Sequence, residues 1–142
     1  MKYFRFMLFV AAVLAFSTAA YAQQPITRAT VPFNFVVGDK LYPAGDYSVA
    51  NISIGSPILQ ITNHNDAHSG LALTTACSVP KGKGGQTQLV FARVGGVYFL
   101  HQIWVAGSQA GRELRPTPKE TTLAQNGPAP QEVVVAAILV QR

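Results

Sequence analysis

From Val31 onward, apolar and polar side chains alternate with a period of two. Phe33, Phe35 and Val37 fall on one face of an extended chain, Asn34 and Val36 fall on the other, and Gly38-Asp39 breaks the run. Lys40-Leu41-Tyr42 leads into Pro43-Ala44-Gly45. There the proline fixes φ at the second position of a tight turn, and the glycine is expected to take a positive φ. Tyr47, Val49 and Asn51 then alternate with Ser48, Ala50 and Ile52, so this segment predicts strand, turn, strand. Pro57 to Asn63 and Leu71 to Val79 predict two further strands, separated by a polar cluster with the composition of a turn.

The strongest local pattern is QTQLVFARVGGVYFLHQIWV, where two apolar runs flank Gly95-Gly96. A two-residue glycine loop supplies the positive φ values of a primed turn and predicts a hairpin. With Val94 opposite Val97, one face carries Ala92, Phe99, Val90, His101 and Ile103. The other carries Arg93, Tyr98, Phe91, Leu100, Leu89, Gln102 and Trp104. Further on, Thr117-Pro118-Lys119-Glu120 is a capping box with proline at the first helical position, which predicts a short helix from Pro118 to about Gln125, ended by Asn126-Gly127. The run Val133 to Val140 is too short to span a membrane as a helix and is rich in β-branched residues; it predicts a strand covered on both faces. Together these elements predict an all-β chain: an antiparallel β-sandwich or small closed barrel of about eight short strands, with one short helix near the C-terminus.

The first 22 residues change this picture. Lys2 and Arg5 precede an apolar run from Phe6 to about Phe16, and Ala20-Tyr21-Ala22 fits a signal-peptidase site, so cleavage before Gln23 and export are expected. Residues 23–30 read as a flexible leader and 31–142 as one β-rich domain in a periplasmic or extracellular setting, touching a membrane only while the signal peptide is uncleaved. Losing Lys2 and Arg5 lowers the formal charge from +5 to +3, and the remaining charges are scattered, so nucleic acid is not an expected partner. Cys77 is the only cysteine and forms no internal disulfide; it is expected to be buried in a strand.

Candidate chemistry is sparse. His64, Asp66 and His68 lie two apart and would present two imidazoles and a carboxylate to one ion, a set that suits zinc, but the neighbouring Asn63, Asn65 and Gly70 favour a solvated turn. No metal or cofactor is therefore assigned. Ser108 in AGSQAG lacks the first glycine of a nucleophile elbow, and Lys81 to Gly85 lacks the spacing of a phosphate loop. His101 reads as a covered histidine, and Arg112 with Glu113 as a surface charge pair. Asn51-Ile52-Ser53 fits a glycosylation sequon. If Phe91, Arg93, Tyr98, Gln102 and Trp104 form an open face, they offer aromatic planes beside polar groups, suited to a glycan or a cell-envelope protein; the competing reading packs them in a core.

The combination of a phenylalanine-rich first strand, P-A-G-x-Y (Pro43 to Tyr47), Y-F-L-x-x-I-W (Tyr98 to Trp104) and G-R-E-L (Gly111 to Leu114) resembles a group of small exported bacterial proteins of uncharacterised function. The resemblance implies an exported β-rich domain and no catalytic residues. The expected function is thus a non-enzymatic binding or envelope-structural module, of unassigned oligomeric state. The alternatives are an assembly protein that donates Val133 to Val140 as a strand, and a small hydrolase using His101 or His64.

Overall fold

A computed structural model describes residues 25–53, 55–66, 68–78, 85–108 and 110–141. The expected signal peptide and its cleavage point lie outside them. The strands are β1 (Pro25–Val31), β2 (Phe35–Val37), β3 (Lys40–Tyr42), β4 (Gly45–Asn51), β5 (Ile58–Asn63), β6 (Ser69–Ser78), β7 (Gln88–Val94), β8 (Val97–Trp104) and β9 (Ala110–Leu114). The helix α1 (Pro118–Asn126) and the strands β10 (Gln131–Ala136) and β11 (Ile138–Gln141) complete the chain.

The strands hydrogen-bond in the order β10-β7-β8-β9-β6-β5-β4-β1-β11, with β2 attached to β8 and β3 to β2. The architecture is mostly β with one short helix, as expected, but three details differ. There are eleven strands among the described residues rather than about eight. The β2·β8 pairing is parallel, so the sheet is mixed. The sheet is also open: β10 and β11 are successive stretches of one chain that separate at Ala137, whose N–H donates to Thr87 O at 3.0 Å, so no ladder joins the two ends into a closed barrel.

The leader expected over residues 23–30 is also corrected, because its described part is β1, paired with β4 and β11. Its polar composition is misleading, since Thr27, Ala29 and Val31 all point inward and are buried. The terminal run is covered on one face only. Val133, Val135 and Ala137 pack on the core, while Val134 and Ile138 are exposed, because the run lies at the ends of the hydrogen-bonded order.

One core joins β1, β4 and β5 to β7 and β8, with Phe35 at its centre. The Phe35 ring lies 5.5 Å from Tyr42, 4.9 Å from Tyr47 and 5.3 Å from Phe91, within the range of favourable aromatic pairs. A smaller cluster of Val36, Val94 and Phe99 sits under Leu123 and Ala124 of α1. All three β2 residues are buried because Phe35 and Val37 face the first cluster and Val36 faces the second.

The P-A-G-x-Y segment is a corner. It carries the chain from β3, which pairs with β2, to β4, which pairs with β1 and β5. The Tyr47 hydroxyl donates back to the Pro43 carbonyl and accepts from Asn63 Nδ2 at 3.0 Å, while Ala44 N–H donates to Asn34 Oδ1 at 2.9 Å. Side chains hold the corner in place of the positive φ expected at Gly45, which instead begins β4. The helix forms where its cap predicts: Thr117 Oγ1 accepts from Glu120 N–H at 3.2 Å, and the Glu120 carboxylate accepts in return from the Thr117 backbone.

Candidate functional site

The hairpin follows the expected register from Val94↔Val97 to Phe91↔Leu100, and Gly95 and Gly96 both have positive φ, at 57° and 80°. A bulge then places His101 as an extra residue, so Val90 faces Gln102 and Leu89 faces Ile103. It sits where the outer edge of β8 changes partner, from β2 at Tyr98 and Phe99 to β9 at Gln102 and Ile103. One residue of slip reverses the facing of everything beyond it.

The five-residue binding face therefore does not exist as an open surface. Phe91 is 0% exposed in the core, and Trp104 is 3% exposed and packs against Gly111. The indole N–H of Trp104 is buried with no hydrogen-bond partner among the described residues. Arg93 is exposed and lies 5.7 Å from the centre of the Tyr98 ring, which stacks on Phe33 at 3.9 Å. Gln102 is half-buried opposite Glu113.

The other candidates are dispersed. Asp66 pairs with His68 at 3.1 Å, whereas His64 donates its backbone N–H to Asp46 and faces a separate groove with Arg28 and Thr30. No cluster of three or more metal-ligating side chains occurs among the described residues. Ser108 donates its hydroxyl to Ala110 O at 2.8 Å within its own turn. Cys77 is half-buried rather than buried, and desolvation, aided by the Glu113 charge, pushes its thiol pKa up. Glu113 pairs with His101 at 3.4 Å, so the expected Arg112–Glu113 charge pair is not the contact made; Arg112 lies opposite Ile103 and borders an inner groove.

The most unusual surface lies on β6, which pairs with β5 through Ser69–Leu73 and, on its other edge, with β9 through Thr74–Ser78. β9 stops at Leu114, opposite Thr74. The N–H of Thr74 donates to Pro57 O on the β5 side, so by strand alternation the N–H and C=O groups of Leu71 and Leu73 point to the opposite, open edge. Across the gap stands β3. Val37 and Lys40 close its two-residue turn with β2, so the backbone groups of Leu41 also point away from β2. The gap holds a groove of about 380 Å³ bordered by Val37, Gly38, Leu71, Leu73, Leu114 and Arg115. This lining mixes outward-facing leucines with the inward-facing Val37 and Leu114, as expected where a sheet lacks a strand.

No protein family, curated protein or solved structure matches this chain.

Two large exposed apolar side chains line the groove, Leu71 at 65% and Leu73 at 67% exposure, and Leu41 of β3 is 64% exposed. The inward positions of β6 hold only Gly70, Ala72 and Thr74. A side chain on Gly70 would meet the Tyr42 hydroxyl, whose ring already fills that part of the core. Lys40 Nζ donates to Ser69 O at 3.0 Å and so caps the first carbonyl of the open edge. Alternation in LALTT marks a strand but not which face is buried, and the pattern that would have revealed this site is leucine out, alanine and threonine in.

Proposed function

We propose that this protein is an exported, non-enzymatic binding module, a β-sandwich that captures an extended segment of a cell-envelope protein by strand addition. The observation that carries this reading is the open β6 edge, where Leu71 and Leu73 present both backbone groups and exposed side chains opposite the free edge of β3. Backbone pairing supplies affinity in such complexes, and alternate side chains supply selectivity. The sandwich reading is supported by a core shared between the β1, β4, β5 half and the β7, β8 half. Export rests on the leader sequence and on the resemblance carried by the three motifs. The reading favours protein over glycan because the aromatic rings that would have stacked on sugars are core residues.

The test is amide hydrogen exchange on the protein with and without a strand-forming peptide selected from a random display library. Binding slows the Leu71 and Leu73 amides and leaves the α1 amides unchanged. Selected peptides that protect other amides while Leu71 and Leu73 stay fast would refute the assignment.

A further inference from the structure

We infer that the segment captured at this edge is an apolar stretch of about four or five residues flanked by acidic side chains, and that Arg115 and Lys40 read those acids. This rests on the proposed strand capture and adds the chemistry of the partner. The length follows from the edge: among the described residues Ser69 to Leu73 has no strand neighbour on that side, and at about 3.3 Å per residue it accommodates a segment of that size. The apolar character follows from both sides of the missing strand. Its outward side chains would lie beside Leu71 and Leu73, and its inward ones above Val37, Ala72 and Leu114.

The acidic flanks follow from charge. Arg115 borders one end of the groove, is exposed, and makes no ion pair among the described residues; Lys40 stands at the other end, at Ser69, on a carbonyl and near the Tyr42 ring. Among the described residues no carboxylate lines the groove, not even that of Asp39, next to Lys40 in sequence. A globular body is a poor fit, because the β2–β3 hairpin stands along one side of the gap and the end of β9 along the other. An extended segment enters without displacing either. The two cations also disfavour edge-to-edge pairing with a second copy of this chain, which would bring the cations of one copy against those of the other.

The experiment measures binding of three synthetic peptides by fluorescence anisotropy. They share a five-residue valine and threonine core and carry aspartate, serine or lysine flanks. The aspartate peptide is expected to bind about fivefold or more tighter than the lysine peptide, since each exposed pair contributes modestly and the lysine peptide adds repulsion. Arg115→Glu, an exposed change, is expected to reverse that order at the Arg115 end and to leave serine-peptide binding within about twofold. Equal binding of all three peptides, with Leu71 and Leu73 protected, overturns the acidic preference and leaves strand capture standing. No binding by any of the three, with both amides unprotected, overturns both.

Discussion

Gly111→Ala isolates the contact that joins the Y-F-L-x-x-I-W and G-R-E-L segments. Gly111 lies in β9 opposite Cys77, outside the positive-φ glycines, so its backbone accepts alanine. The obstacle is Trp104. A Cβ on Gly111 would lie 2.9 Å from Cη2, with Cε3 and Cζ3 closer still, whereas carbon atoms settle at about 3.5 to 4.0 Å. At 3% exposure the indole has no open space to retreat into. Overpacking of this kind costs about 1 to 3 kcal/mol, and alanine recovers about 0.5 to 1 kcal/mol of the conformational cost of a strand glycine. The net expectation is a loss of about 1 to 2 kcal/mol, a fall in Tm of several degrees for a chain of this size. Urea unfolding followed by fluorescence reads the site directly, because Trp104 is the only tryptophan. In a Trp104→Leu background, with all four variants of the cycle followed by circular dichroism because the fluorescent reporter is gone, the same alanine should be neutral or stabilising, giving a coupling of at least about 1 kcal/mol. A Gly111→Ala variant as stable as the parent, with effects additive to within about 0.5 kcal/mol, would show that the two side chains do not meet.

Three further outcomes are expected. Tyr47→Phe strips the Pro43 carbonyl and the buried Asn63 amide of a shared partner and should cost about 1 to 3 kcal/mol in chemical denaturation; an unchanged midpoint contradicts the corner. Burial raises the Glu120 carboxyl above its ordinary range, more than His101 and the Thr117 backbone lower it. The protonated form is thus favoured in the folded state, and stability falls as pH rises through the raised folded value. Glu120→Gln keeps a cap acceptor and should raise Tm at pH 7, the gain vanishing below about pH 4; a gain confined to acid excludes this account. In the free protein, the Leu71 and Leu73 amides should exchange far faster than those of Ala72 and Thr74, and equal rates would show that the edge is not open.

Local rules carried much of the fold. The glycine hairpin and the Thr117 cap follow from a few adjacent residues and form where the sequence places them; the Pro43–Tyr47 corner also forms there, held by Asn34 and Asn63 from elsewhere in the chain. The errors have physical causes of another kind. The bulge at His101 leaves the apolar alternation of β8 intact to the eye while reversing Trp104, because it arises from the two neighbours that β8 acquires on one edge. Thr27 reads as polar in a list and is 3% exposed in the sheet. The proposed site was least legible of all, since Val37 and Gly38 meet Leu71 and Leu73 only across more than thirty residues of sequence.

The terminal strand and the open edge should be weighed together. A strand-donating chain needs a segment that lacks partners at home, yet Val133 to Val140 is paired on its own chain, through β10 with β7 and through β11 with β1. Releasing it would strip one neighbour from each of two core strands and uncover Val133, Val135 and Ala137. The β6 edge has the opposite character: filling it disturbs no existing ladder and removes Leu71 and Leu73 from water. At about 25 cal/mol per Å² of apolar surface, covering two such leucines contributes roughly 1 to 3 kcal/mol before any backbone bond is counted. Under the proposed function, this asymmetry favours receiving a strand over donating one. A protein built this way should bind extended segments as a monomer. If it is an obligate dimer whose association is abolished by removing residues 131–141 while the remaining sheet stays folded, donation rather than acceptance is its role.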